Sequence, residues 1–196
     1  MGEFPIIETE RLILREVATE DAIDMYEYLS DKDVVKHMGL EPYKSSKEVL
    51  NEEIKWYKSI VEEGTGIRWV ITKKESSVVI GSCGFLNMSP KHHRAEIGFE
   101  LHKEYWGQGI ASEAVEAVIH YGYKNLNLER IEAIVDPPNF LSQKLMKKQG
   151  FRKEGLLRNY EYNFGKFNDV YMYSMIREDI NLKKHLNIAS SARAKS

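Results

Sequence analysis

The sequence predicts a mixed α/β (α+β) fold, and three observations predict it. Short β-branched or aromatic runs alternate with segments of helical apolar spacing, in the order β-α-α-β-β-β-α-β-α-β-β. Hydrophobic residues make up 42% of the chain and aromatics 11%, enough to build a core. The length of 196 residues fits one compact domain better than two.

The elements follow in chain order. Leu12, Ile13 and Leu14 form an apolar run between Arg11 and Arg15, a first strand. Thr19-Glu20-Asp21 then places a capping residue and two acids where a helix begins, and Ala22, Met25, Tyr26 and Leu29 continue at helical spacing. A second helix is predicted from Ser46 to Glu62, with Val49, Leu50, Ile54, Tyr57 and Val61 on its apolar face and Gly64 as its stop. Ile67–Thr72 and Val78–Phe85 read as a hairpin around the polar Lys73–Ser77, with Gly81 and Gly84 marking a bulge or close packing. Arg94–His102 alternates Glu96, Gly98 and Glu100 with Ile97, Phe99 and Leu101, so one face of this strand has to accommodate carboxylates. An amphipathic helix runs from the loop at Gly109 to about Lys124, followed by a strand at Arg130–Val135. Asn139–Gln149 is a helix with Asn139 as N-cap and Gly150 as stop, and two strands, Phe151–Tyr162 and Phe167–Ile176, meet at a turn. The domain is placed at residues 1–180, and the stretch from Asn181 to Ser196, rich in Ala, Ser and Lys, is read as a flexible tail.

Composition excludes several classes of function. Lys plus Arg number 28 against 30 Asp plus Glu, and a net charge of -2 supplies no broad positive field for nucleic acid or an anionic membrane. No apolar run reaches the length of a membrane span, and the first residues lack the basic and apolar regions of a secretory signal. The single Cys83 has no disulfide partner and no companion thiol for a metal, which fits a reducing cytoplasm. Cys83 reads as a small core residue rather than a nucleophile. His92, His93 and His102 lack the spacing of a metal site, so no metal is expected.

Chemistry concentrates after the carboxylate-bearing strand. Trp106-Gly107-Gln108-Gly109-Ile110-Ala111-Ser112 joins a strand to a helix, where unpaired N–H groups and the helix dipole favour an anion. Gly107 and Gly109 allow close approach of a ligand to the backbone. A bare G-x-G is weak evidence, because glycines there also make ordinary turns. The loop lacks the Gly-Lys-Ser/Thr of a Walker loop, and Ser112 stands where a dinucleotide fingerprint has its third glycine.

Together with Asp136-Pro137-Pro138-Asn139-Phe140-Leu141-Ser142 and Gly150-Phe151, this loop resembles the GNAT superfamily of N-acetyltransferases, in its RimJ/RimL-like branch. Thr9-Glu10-Arg11-Leu12-Ile13-Leu14-Arg15, Ile80-Gly81-Ser82 and the stretch from Tyr162 to Val170 carry the likeness over about residues 8 to 178. The resemblance implies a mixed, mostly antiparallel sheet with a central V-shaped splay, flanked by helices on both faces, and acetyl-CoA in the opening. It maps the pyrophosphate signature onto Trp106 to Ala111, with Trp106 departing from the usual polar first residue. The pantetheine arm is expected to pair with the backbone near Leu101 and His102, Asn139 to contact that arm, and Ser142 to offer a proton to the leaving thiolate. Met146 stands where many relatives place a tyrosine acid, which increases the burden on Ser142.

For the base, the resemblance points to Glu161; Glu96 and Glu100, which share one face of their strand and could instead activate a water, rank second and third. A lysine-like amine of pKa about 10.4 is less than about 0.1% neutral at pH 7, whereas an α-amine near pKa 7.7–8.0 is about 10% neutral and needs a weaker base. The function implied is direct acetyl transfer to a primary amine, either a protein N-terminus of the ribosomal-protein type or a small amine. The alternative is a non-catalytic acyl-CoA-binding sensor or interaction module, and a homodimer is left open.

Overall fold

The computed structural model describes residues 3–180. The predicted tail at Asn181–Ser196 lies outside the described residues. The strands are β1 (Ile7–Glu8), β2 (Leu12–Arg15), β3 (Ile67–Lys73), β4 (Val79–Ser89), β5 (Arg94–Leu101), β6 (Arg130–Val135), β7 (Arg152–Asn163) and β8 (Lys166–Ile176). They form one eight-stranded sheet in the order β1-β2-β3-β4-β5-β6-β8-β7. The helices are α1 (Ala22–Leu29), α2 (Lys32–Val35), α3 (Ser46–Val49), α4 (Lys55–Glu62), α5 (Ile110–Asn125) and α6 (Phe140–Gln149).

Alternation along the strands sends apolar side chains to both faces, and both faces are covered. On one, Leu12, Trp69, Phe85 and Ile97 pack against Val115, Val118 and Ile119 of α5 and Met146 of α6. On the other, Val70 and Val79 meet Met25, Tyr28 and Leu29 of α1, Val49 of α3, and Ile54 and Tyr57 around α4.

All neighbouring strands are antiparallel except β5 and β6. That parallel pair holds register only at Arg94↔Arg130, Ala95↔Ile131 and Glu96↔Glu132. Beyond Glu96 the two strands part, while β5 stays paired with β4 as far as Leu101↔Gly81 and β6 stays paired with β8 as far as Val135↔Tyr171. Each arm of the resulting V keeps its outer neighbour, so the backbone groups left open are those facing into the gap.

The helix expected across Ser46–Glu62 is interrupted by a π-turn at Leu50–Ile54, which buries Glu53 and Ile54. Apolar spacing at 3.6 residues does not register a single inserted residue. Two further elements carry too few residues for a periodic signal: the two-residue β1 and the four-residue α2, the latter capped by the Asp31 carboxylate accepting from the Asp33 N–H at 2.8 Å.

Candidate active site

The glycine loop lies at the open end of β5. Gly107 and Gly109 take φ of +74° and +78°, a region that a Cβ makes costly, and Gly109 is the N-cap of α5. The first helical bond is donated by the Glu113 N–H to the Gly109 carbonyl at 3.0 Å. Among the described residues, none of the six N–H groups from Gly107 to Ser112 donates to a protein acceptor. A consecutive run of free donors at a helix start suits an anion of several oxygens. The donor run does not include Trp106, contrary to the expectation that it begins there: the Trp106 N–H is taken by the Lys103 carbonyl at 3.1 Å. The Trp106 indole N–H donates to the Leu101 carbonyl at 2.8 Å, so this residue fastens the loop to the strand end. The Ser112 hydroxyl accepts from Gln149 of α6 at 2.9 Å.

The His102 N–H donates to the Ile80 carbonyl at 2.7 Å, which makes the even-numbered residues of β5 those bonded to β4. The backbone groups of Phe99 and Leu101 therefore turn toward the V. The expected pairing through the His102 backbone finds no open group, since its carbonyl also accepts from Tyr105 at 3.0 Å. Leu101 keeps its N–H for the gap, its carbonyl being engaged by Trp106.

Asn139 caps α6, its side-chain oxygen accepting from the Ser142 N–H at 3.0 Å. That leaves the Asn139 amide nitrogen and the Ser142 hydroxyl without a hydrogen-bond partner among the described residues. Both residues are half-buried at the mouth of the arm formed by β6.

The carboxylates divide by environment. Glu100 is buried among Arg68, Ser82 and Tyr57, with an ion pair to Arg68 and hydrogen bonds from the Ser82 and Tyr57 hydroxyls. It is a structural carboxylate with its charge already matched, so it drops from the candidate bases. Glu96 accepts from the Asn87 amide at 2.9 Å. Burial pushes its pKa up against that hydrogen bond, and the charge of Glu161 raises it further. Glu161 accepts from the Asn163 amide at 3.1 Å. Glu96 and Glu161 thus lie near enough for their charges to interact, although β5 and β7 are not neighbours in the sheet.

Sequence reasoning missed the residues that tie this region together. Lys103, just past β5, forms an ion pair with Asp33 of α2, and the His37 ring nitrogen Nδ1 meets the Asp136 carboxylate, just past β6, at 2.6 Å. The segment around α2 is therefore fastened to both arms of the V. Nothing in spacing or composition marked His37 or Asp33. Cys83 is fully buried, and burial pushes its thiol up to about 12, consistent with packing rather than nucleophilic chemistry. No group of three or more His, Cys, Asp or Glu among the described residues is arranged to hold a metal.

Comparison with known proteins gives the family and the fold. The model of the acetyltransferase (GNAT) domain family matches residues 11–152. The chain belongs to the GNAT acetyltransferase family. This GNAT chain is 43% identical to the uncharacterized N-acetyltransferase p20 of Bacillus licheniformis over 171 residues, 87% of this chain and 96% of that protein. It is 27% identical to the ribosomal-protein-serine acetyltransferase of Escherichia coli over 172 residues, 86% of this chain and 94% of the relative, which places it in the RimJ/RimL-like branch. The solved structure of RimL, a ribosomal L7/L12 α-N-protein acetyltransferase in complex with coenzyme A, matches with a TM-score of 0.78 at 22% identity. That match covers 88% of this chain and 98% of the other, and it shows the shared fold. No helix among the described residues of the GNAT chain is long and apolar enough to cross a membrane.

Proposed function

We propose that this GNAT N-acetyltransferase, folded as one domain ending near residue 180, moves acetyl from acetyl-CoA directly to a primary amine, and that the preferred acceptor is a protein N-terminal α-amine. The observation that carries the reading is the run of six unengaged N–H groups from Gly107 to Ser112 at the open end of β5. A diphosphate matches those donors in charge and number of oxygens, and two glycines leave the backbone bare for it. The Leu101 N–H, turned to the gap, and the Asn139 amide nitrogen, without a partner among the described residues, suit the amide carbonyls of a pantetheine arm. Acetyl-CoA supplies an activated acyl carbon with a thiolate leaving group.

The chain's own groups then divide the work. Glu96, its pKa raised by burial, takes the proton that the ammonium must lose before its nitrogen can attack. Glu161 beside it adds negative charge that attracts the ammonium and strengthens Glu96 as a base. The Ser142 hydroxyl, free of any partner among the described residues, donates a hydrogen bond to the departing sulfur. A carboxylate base suits an α-amine, of which about 10% is neutral at pH 7, better than a lysine amine. The likeness to a ribosomal-protein-serine acetyltransferase supports the same acceptor class.

The test is release of free thiol from acetyl-CoA across a panel of N-terminal peptides, lysine side-chain peptides and small amines, with mass spectrometry of the products. Acetylation of peptide α-amines is the expected result. Turnover confined to small amines would move the acceptor assignment, and saturable CoA binding with no turnover on any amine would make the protein a sensor.

A further inference from the structure

The N-terminal stretch Thr9-Glu10-Arg11 takes no part in the transfer chemistry, yet its contacts converge on the glycine loop about a hundred residues later. Arg11 donates from Nη1 to the Gln108 carbonyl at 3.0 Å and from Nε to Glu113 Oε2 at 2.6 Å. Its backbone N–H and the Thr9 hydroxyl both donate to Glu113 Oε1, at 2.9 Å and 2.6 Å. A Cβ placed on Gly109 would lie 3.4 Å from Arg11 Nη2, so the guanidinium lies directly against the loop.

The peptide between Gln108 and Gly109 is planar and trans, so its carbonyl and N–H point in opposite directions. Fixing the Gln108 oxygen toward Arg11 turns the Gly109 N–H to the opposite side. Within the loop the Gln108 side chain donates to the Glu104 carbonyl at 2.7 Å, but no loop group bonds the 108–109 peptide itself, and because glycine accepts either sign of φ a flip of this peptide costs Gly109 little. A flipped peptide would present a carbonyl oxygen to an incoming anion instead of a donor. Arg11's charge is already balanced by Glu113, so its effect on the loop is chiefly geometric.

We propose that Arg11 is a positioning residue for the cofactor's diphosphate: it locks the 108–109 peptide with its N–H toward the ligand, and Thr9 and Glu113 hold Arg11 in place. The proposal rests on the diphosphate reading of the loop given above.

The experiment compares wild type, Arg11→Met and Arg11→Lys in titrations with CoA by calorimetry and with pantetheine, which lacks the diphosphate, by NMR. Arg11→Met is expected to weaken CoA by about tenfold or more, the worth of one charge-assisted hydrogen bond, and to leave pantetheine within about twofold. Arg11→Lys, which keeps a donor for the Gln108 carbonyl, recovers part of the loss and decides the matter should Arg11→Met fail to fold. Equal losses for the two ligands would assign Arg11 a merely structural role, and an unchanged CoA affinity in both variants would give it none. Either result overturns the inference while leaving the loop reading intact, provided wild type prefers CoA to pantetheine. A wild type without that preference overturns both.

Discussion

Glu53 sits in the π-turn before α4, only 5% exposed, with one close hydrogen bond from the Tyr43 hydroxyl at 3.0 Å. Burial pushes its carboxyl from the ordinary 4.5 up to about 7, and the charge of Glu100 adds to this. The folded protein therefore holds a proton on Glu53 across a range in which the unfolded chain has released it. With the native state binding more protons, stability falls as pH rises from about 4.5 to about 7 and levels off above that. At about 1.4 kcal/mol per pH unit, the span amounts to about 3 kcal/mol as an upper bound. Glu53→Gln keeps an oxygen for Tyr43 and never ionises, so it removes this slope. Urea denaturation of both proteins between pH 4.5 and 8 gives the difference directly: the variant should gain on wild type by up to about 3 kcal/mol across the interval. Stability–pH curves that run parallel would refute the reasoning and show that Glu53 ionises normally in the fold.

Four other outcomes are expected. Glu96→Gln should lower turnover by roughly a hundredfold with little change in CoA affinity. Turnover in wild type should rise with pH through a limb above the ordinary carboxylate range, and Glu161→Gln should move that limb to lower pH by removing a like charge from Glu96. A pH–rate profile checks both. Gly109→Val puts a β-branched residue at φ +78° beside Arg11 and is expected to weaken CoA by about tenfold or more in a protein that remains folded by circular dichroism. Cys83→Ala should leave turnover unchanged and cost about 1 kcal/mol in a thermal melt, as loss of a small buried group with no chemical role does.

How much of the site was legible depends on distance along the chain. Gly107, Gly109 and the Asn139 cap act within their own loop or helix turn, and the sequence placed them correctly in it. Trp106 also acts locally, but only the folded structure reveals that its N–H and its indole are both used inside the protein. The family resemblance ranks Glu161 ahead of Glu96 and Glu100, but as carboxylates on strands the three carry no local signal that tells a base from a structural ion pair. What separates them is which neighbours the fold brings: Arg68 and two hydroxyls for Glu100, and Asn87 with a second carboxylate for Glu96.

By itself, then, the sequence determined the order of the longer elements, the glycine loop at a helix start and the capped helix after it. These are set by periodicity and by the stereochemistry of a few residues, which act over one or two turns of chain. Only the tertiary structure decided that β5 and β6 part after Glu96↔Glu132, that α2 is tied to both arms, and that Arg11 braces the peptide between Gln108 and Gly109. Those features join residues far apart in sequence, whose side chains find each other through packing and charge once the sheet has formed, and no local pattern encodes such a meeting.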